Sequence, residues 1–79
     1  MKNEVVYFTC HNGLTLERIR WDESLPGGHV GEVFKVVDGK PTWEKSDTAE
    51  AIYFWDYLDW APCSDEEAKA FMDSKLNKN

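Results

Sequence analysis

Two Asx-Gly dipeptides, Asn12-Gly13 and Asp38-Gly39, constrain the fold of this chain more than any other feature of its sequence. A two-residue hairpin turn of type I′ requires positive φ at both central residues, which Asn, Asp and Gly tolerate best. Stretches rich in β-branched and aromatic side chains flank both dipeptides, as is typical of strands. The sequence therefore predicts two β-hairpins within residues 4–45, which form an antiparallel sheet of three or four strands.

The turn at Asn12-Gly13 also predicts a pairing register, in which Phe8 lies opposite Glu17 and Val6 lies opposite Ile19. The face that we expect to form the core carries Val6, Phe8, Cys10, Ile19 and Trp21. The opposite face carries Val5, Tyr7, Leu14 and Leu16 together with Arg18 and Arg20. Neither face of this hairpin is uniformly polar.

Residues 22–31 contain Pro26 and three glycines, which indicate a loop between the two hairpins. The loop lacks the Gly-Lys-Ser/Thr and GxGxxG patterns that hold phosphate, so we expect a flexible connector. The second hairpin pairs residues 32–37 with residues 40–45. Pro41 favours either an edge position for the fourth strand or a place at its first residue, because proline has no N–H to donate.

A first helix is predicted over residues 47–60. Asp47 and Glu50 have capping-box spacing, and the helix stripe that we expect to be buried consists of Ala51, Phe54, Trp55 and Leu58. The competing interpretation of residues 51–60 is a strand, because this segment is rich in β-forming side chains.

A second helix is predicted over residues 64–77, since Ser64 and Glu67 form a capping box and acids fill the first turn. Its expected buried stripe consists of Ala68, Phe71, Met72 and the pair Lys75/Leu76. The fold class is thus α+β, a single domain over residues 1–79 with both C-terminal helices packed on one face of the sheet.

Negative charge is concentrated in residues 46–68, which hold seven acids, no Lys or Arg, and five aromatic residues. The chain has a formal charge of -6, whereas the residues outside this segment carry nine bases against eight acids. Aromatic residues beside unpaired carboxylates are typical of a protein-binding surface. The predicted partner-binding residues are Glu50, Tyr53, Asp56, Tyr57, Asp59, Trp60, Asp65, Glu66 and Glu67.

In small size and high acid content the chain resembles phage-encoded DNA mimics, the anti-restriction and anti-CRISPR inhibitors. This resemblance is one of composition, and it implies an inhibitor or regulator that occupies a basic, nucleic-acid-binding surface of a partner protein. Carboxylates at i and i+3 on a helix would lie about 5–6 Å apart at Cβ, near the spacing of phosphates. The alternative is a structural protein that self-associates, for example as a homodimer, through the same aromatic face.

Other classes of function are disfavoured by the sequence. Acidity opposes direct binding to nucleic acid or to anionic membranes. Cys10 and His11 are adjacent, while His29 and Cys63 stand alone, so we expect no metal site. We likewise expect no catalysis and no cofactor. No basic n-region or apolar h-region opens the sequence, so we expect no signal peptide. The longest uncharged run, residues 5–16, is too short to cross a bilayer, so we expect a cytoplasmic location.

Overall fold

The computed structural model describes residues 4–76, which form a five-stranded antiparallel sheet and two α-helices. The strands and helices in chain order are β1 (Glu4–Cys10), β2 (Thr15–Trp21), β3 (His29–Val37), β4 (Lys40–Lys45), α1 (Asp47–Trp55), β5 (Trp60–Cys63) and α2 (Asp65–Leu76). The strand order across the sheet is β4-β3-β2-β1-β5. The predicted α+β class is confirmed, with a sheet one strand larger than the upper prediction. Residue 77 of the predicted second helix lies outside the described residues.

The register predicted for the first hairpin is confirmed, because Phe8 pairs with Glu17 and Val6 pairs with Ile19. The connection spans four residues, 11–14, instead of two. His11, Asn12 and Gly13 all have positive φ, of 56°, 59° and 83°. In the second hairpin Asp38 (φ 53°) and Gly39 (φ 77°) form the two-residue turn that the sequence predicts.

The two helices pack on opposite faces of the sheet, so the prediction that both lie on one face is wrong. The α1 face of the sheet has a buried cluster of Phe8, Cys10, Ile19, Ala49 and Ile52. The α2 face has a second buried cluster of Leu16, Phe34 and Ala68, against which Tyr7, Trp43, Cys63, Phe71 and Met72 pack. The first hairpin is apolar on both faces, and burial of both requires one layer on each side.

Strand β5 was not predicted. It contains four residues, including Pro62, and it pairs antiparallel with β1, with Tyr7 opposite Cys63 and Cys10 opposite Trp60. A strand this short has too few residues to show an alternating pattern. Because β5 forms an edge of the sheet, the chain leaves α1 on one face, passes along this edge, and enters α2 on the other face. Pro62 suits an edge strand, where a missing N–H disrupts the fewest ladder bonds.

The predicted loop over residues 22–31 is too long at its C-terminal end, because β3 begins at His29.

Gly31 lies in β3 at the point where α1 approaches the sheet most closely. A Cβ atom at Gly31 would lie 2.7 Å from the Ser46 carbonyl oxygen and 2.7 Å from Glu50 Cγ. The Ser46 N–H also donates to the Gly31 carbonyl oxygen at 2.7 Å. Glycine is therefore needed here for helix–sheet packing.

Within residues 4–76, neither helix has both the length and the apolar content needed to span a membrane. The compartment of the protein stays a prediction.

Candidate functional site

Helix α1 begins at Asp47 as predicted, but its capping residue is not the predicted Asp47 and its C-terminal end comes earlier than predicted. The N-cap is Ser46, whose Oγ accepts a hydrogen bond from the Ala49 N–H at 3.1 Å, and Asp47 is the first helical residue. The helix ends at Trp55, because Asp56 adopts a left-handed conformation with φ 52° and ψ 41°. The prediction of a helix to residue 60 is therefore wrong. The segment 51–60 is a helix at its start, a loop over 56–59, and the beginning of β5 at Trp60.

The buried side of α1 is also not the predicted one. Ala49 and Ile52 are fully buried, whereas Trp55 is 75% exposed and Phe54 is 39% exposed. A nine-residue helix that carries apolar side chains around most of its circumference offers two possible stripes. The close approach at Gly31 turns Ala49 and Ile52 towards the sheet. Leu58, the fourth member of the predicted stripe, lies beyond the end of the helix.

A hydrogen bond across the loop ties the end of α1 to the start of β5. Trp60 Nε1 donates to Asp56 Oδ1 at 3.0 Å. The Trp60 ring packs edge-on against Phe8, with ring centroids 5.4 Å apart, and lies tilted against Tyr53, with centroids 5.5 Å apart. The Asp56 N–H donates to the Ile52 carbonyl oxygen at 3.0 Å. Both the backbone and the side chain of Asp56 therefore restrict the conformation of this loop.

The exposed surface at this place consists of Trp55, Asp56, Tyr57 and Asp59, and we call it the acidic-aromatic turn. Trp55 is 75% exposed and Tyr57 is 66% exposed, while both carboxylates are also exposed. The neighbouring Phe54 is less available, because its ring packs against His29 with centroids 4.9 Å apart. Large exposed aromatic side chains beside carboxylates are unusual on a solvated surface and typical of an interface.

The structure divides the nine predicted partner-binding residues into three groups. Asp56, Tyr57 and Asp59 belong to the acidic-aromatic turn. Tyr53 and Trp60 pack against the core cluster under α1, so their rings contribute to folding. The remaining residues are acids outside the turn: Glu50, Asp65, Glu66 and Glu67. Trp55 was missed because the expected helix stripe assigned it to the core.

The four acids outside the acidic-aromatic turn lie in two other places, beside His29 and in the first turn of α2. Glu50 Oε2 lies 3.1 Å from His29 Nδ1. Glu67 and Ser64 form the predicted capping box at the start of α2, with reciprocal hydrogen bonds of 2.9 and 3.1 Å. Asp65 and Glu66 are exposed in the first turn of α2. The length of β5, about 13 Å, separates these two acids from Asp59.

On the sheet, both arginines and Lys35 are paired with acids. Arg18 Nε lies 2.6 Å from Glu32 Oε1, and Arg20 Nε lies 3.4 Å from the same oxygen. Burial raises the pKa of Glu32, but the hydrogen bonds and charges of the two arginines offset this effect and hold the pKa below its usual range. Lys35 Nζ lies 3.1 Å from Glu44. These pairs reduce the positive charge that Arg18, Arg20 and Lys35 could offer to a nucleic-acid backbone.

The carboxylates of the acidic-aromatic turn differ from those pairs. Among residues 4–76, neither Asp56 nor Asp59 forms a salt bridge with a Lys or an Arg. Their helical i, i+3 spacing, expected from the sequence, is not present because both residues lie in the loop after α1. The turn therefore presents two carboxylates without the regular spacing of a helical phosphate mimic.

Neither cysteine forms a disulfide, and their strand positions explain why. Cys10 belongs to the core cluster on the α1 face, and Cys63 packs against the cluster on the α2 face. Burial, followed by the nearby charge of Glu17, raises the pKa of the Cys10 thiol to about 12. Burial also raises the pKa of Cys63. Over residues 4–76, no three His, Cys, Asp or Glu side chains are grouped as a metal site would require.

Comparisons with models of protein families, with curated proteins and with solved structures found no match. Function is therefore inferred from the side chains, the charges and the geometry of the acidic-aromatic turn.

Proposed function

We propose that this protein is a small acidic binding module whose acidic-aromatic turn docks on a basic surface of a partner protein. The observation that carries this proposal is the 75% exposure of Trp55 beside the carboxylates of Asp56 and Asp59. Trp and Tyr are enriched among the residues that dominate binding energy, where they enter pockets on the partner. Trp55 and Tyr57 are the anchors, and the two carboxylates meet Lys or Arg around them.

The conformation of the turn supports this role. Asp56 is held by its left-handed backbone and by its hydrogen bond with Trp60, so the loop is restricted before any partner binds. A pre-ordered surface loses less conformational entropy on association than a flexible one. Trp55 itself belongs to α1, which fixes its backbone against the sheet.

Charge supports a basic partner. Residues 46–68 contain seven acids and no Lys or Arg, in a chain of formal charge -6. Such a field attracts basic surfaces, increases the association rate at low salt, and repels phosphate backbones. Grooves that bind nucleic acid are basic surfaces of this kind. A module that occupies such a groove acts as an inhibitor or regulator by exclusion, without catalysis or a cofactor.

The first experiment is affinity capture from the native host with wild-type protein and with Trp55→Ala as parallel baits, followed by mass spectrometry. A partner specific to wild type is then measured directly by titration calorimetry. We expect Trp55→Ala to weaken binding by about 30-fold, the effect of truncating an interface anchor. Equal binding by wild type and Trp55→Ala would contradict the proposal.

The charge contribution is tested with a matched pair of double variants. Asp56→Asn/Asp59→Asn should weaken binding at low salt and flatten its salt dependence, because the attraction is electrostatic. Asp65→Asn/Glu66→Gln removes the same charge from α2 and should retain most of the binding. If the second variant weakens binding more than the first, the docking surface is the start of α2 instead.

Self-association is the second candidate function, and it uses the same exposed Trp55. Sedimentation of the purified protein over a concentration series distinguishes the two candidates. A mass that doubles with concentration in wild type but not in Trp55→Ala, in a protein that captures no other partner, would favour the structural role. A constant monomer mass is expected for the binding module.

A further inference from the structure

The outer edge of β5 is open, because β5 is the last strand of the sheet and no further strand of residues 4–76 pairs with it there. The Cys10 carbonyl oxygen accepts two N–H groups of the first hairpin turn, both at 3.1 Å, so Cys10 faces β2. Backbone groups alternate in direction along a strand, so Thr9 faces β5 and its partner Ala61 faces β1. Trp60 and Pro62 therefore direct their backbone groups outwards, away from the sheet.

This edge offers more hydrogen-bond acceptors than donors. Trp60 directs an N–H and a carbonyl group outwards, whereas Pro62 directs a carbonyl group alone, since proline has no N–H. The unpaired backbone groups of an edge strand are a template for the backbone of another chain, as in recognition by β-strand addition. An added antiparallel segment would exchange two hydrogen bonds with Trp60 and donate one to Pro62.

The charge along this edge favours a basic segment. Residues 59–67 contain four acids and no base, whereas β4, at the opposite edge, contains two lysines and one acid. Asp59, Asp65 and Glu66 are exposed at the two ends of β5, and none of them forms a salt bridge with another residue of the described range. A segment with Lys or Arg is attracted to this edge, and an acidic segment is repelled.

A small cavity beside β5 is suited to one long basic side chain. Its volume is about 250 Å³, below the roughly 300–1,000 Å³ of typical small-molecule sites. Thr9 and Ala61 line it from the α2 face, the face on which Cys63 packs two residues further along β5. Among the described residues, Asp59 is the one charged residue that lines the cavity.

We propose that an extended basic segment of the partner protein adds to β5 as a further strand and places a Lys or Arg side chain in the cavity beside Asp59. This inference rests on the proposed function, because it specifies how the basic partner is bound. Segment residues opposite Trp60 and Pro62 donate their N–H groups to β5. The residue between them lies opposite Ala61, so its side chain is directed to the α2 face while its backbone faces away from β5.

Two N-methylated peptides test the backbone hydrogen bonds. The parent probe is a nine-residue peptide in which arginine and threonine alternate, titrated into labelled protein and followed by NMR at the Trp60 amide. N-methylation of its threonine amides should weaken binding by about 30-fold, the loss of two hydrogen bonds, because these residues face β5. N-methylation of its arginine amides should change the affinity by less than about twofold, because these amides face away from β5. Equal effects of the two modifications, or no binding of the parent peptide, would overturn the proposal.

Variants of the protein test the edge and the cavity with the same parent peptide. Pro62→Ala adds an N–H to the outer edge and should strengthen binding by about fivefold, the effect of one further hydrogen bond. Asp59→Asn should weaken binding by about threefold, as expected for an exposed charge pair. Asp38→Asn in the β3–β4 turn removes the same charge at the opposite edge and should have no effect. Unchanged affinity in Pro62→Ala would contradict strand addition, and equal losses in the two Asp variants would contradict the role of the cavity.

The partner captured from the host distinguishes this inference from the proposed function. If Trp55→Ala abolishes its binding but Pro62→Ala leaves the affinity unchanged, the acidic-aromatic turn is the docking surface and strand addition is wrong. If Trp55→Ala has no effect but the peptides show the expected N-methylation pattern, the proposed function is wrong and strand addition at β5 stands. A wild-type mass that increases with protein concentration and falls when the peptide is added would show that a second copy of the chain occupies the edge, which would contradict the proposal.

Discussion

Trp60 donates its indole N–H to the carboxylate of Asp56 over 3.0 Å, and this bond joins the end of α1 to the first residue of β5. The same indole ring packs edge-on against Phe8 in the core. One aromatic side chain therefore couples a surface loop to the buried cluster. Changes in the loop should be detectable in the stability of the whole domain.

Asp56→Ala should lower the free energy of unfolding by about 2 kcal/mol. About 1 kcal/mol comes from the lost hydrogen bond and about 1 kcal/mol from alanine in the left-handed region. Asp56→Asn is the control, because Asn accepts the same hydrogen bond and tolerates positive φ, and its unfolding free energy should change by less than about 0.5 kcal/mol. Urea unfolding measures both. Equal losses of unfolding free energy in Asp56→Ala and Asp56→Asn would show that the charge of Asp56, and not its hydrogen bond with Trp60, stabilises the loop.

Because α1 turns Ile52 towards the sheet and Trp55 towards solvent, truncation of Ile52 should destabilise the protein more than truncation of the larger Trp55. Ile52→Ala should cost about 2–5 kcal/mol, because Ile52 is fully buried. Trp55→Ala should cost less than about 0.5 kcal/mol, because Trp55 is 75% exposed. Thermal and urea unfolding of the two variants test this order, and the reverse order would mean that the predicted stripe faces the sheet after all.

Gly31→Ala should destabilise the fold by about 1–3 kcal/mol, the usual range for overpacking. The added Cβ would meet backbone atoms, the Ser46 carbonyl oxygen at 2.7 Å and the Glu50 nitrogen at 2.9 Å, and α1 would have to move. Val37→Ala on the same strand is the control, since Val37 is 45% exposed and should tolerate truncation within about 0.5 kcal/mol. Equal unfolding midpoints in urea for wild type and Gly31→Ala would show that α1 does not approach the sheet this closely.

Glu32→Gln should lower the free energy of unfolding by about 1–2 kcal/mol at pH 7, since it removes the charge that Arg18 and Arg20 share. The pKa of Glu32 is depressed in the folded state, so its stabilisation is present above the ordinary value of 4.5 and is lost as pH falls through the lower folded pKa. The difference between wild type and variant should therefore shrink below pH 4.5. Glu66→Gln, an exposed control, should show no such dependence in urea titrations at several pH values.

Thiol labelling should distinguish the two cysteines. Cys10 is 1% exposed and its pKa is raised to about 12, so it should not react in the native state at pH 8. Cys63 is half-buried with a raised pKa and should react slowly. A chromogenic disulfide reagent should count at most one thiol in native protein and two in denaturant. Rapid labelling of two thiols in the native state would contradict the burial of Cys10.

Some parts of the fold could be predicted because local chemistry decides them. The β1–β2 register follows from a turn that needs positive φ, and α2 follows from the capping box of Ser64 and Glu67. The end of α1 could not be predicted in this way. Asp56 adopts a left-handed conformation without being Gly, and β5 is four residues long with a proline.

The arrangement of the helices depends on tertiary packing that single-residue patterns describe poorly. The apolar character of both faces of the first hairpin was visible in the sequence, and it is the signal that would have predicted a helix on each side. The candidate site shows the same limit. Its acids and Tyr57 could be identified from the local excess of charge, whereas the exposure of Trp55 depends on which side of α1 contacts Gly31.

The pairing of the first described strand with the last affects how the chain reaches its native state. Tyr7 lies opposite Cys63, so this edge of the sheet closes only through contacts of large sequence separation. Such topologies fold slowly compared with helical bundles, because loop entropy is lost before the contacts form. The β1–β2 hairpin is synthesised well before β5. During translation the β1 edge of the sheet therefore stays unpaired until residues 60–63 have left the ribosome.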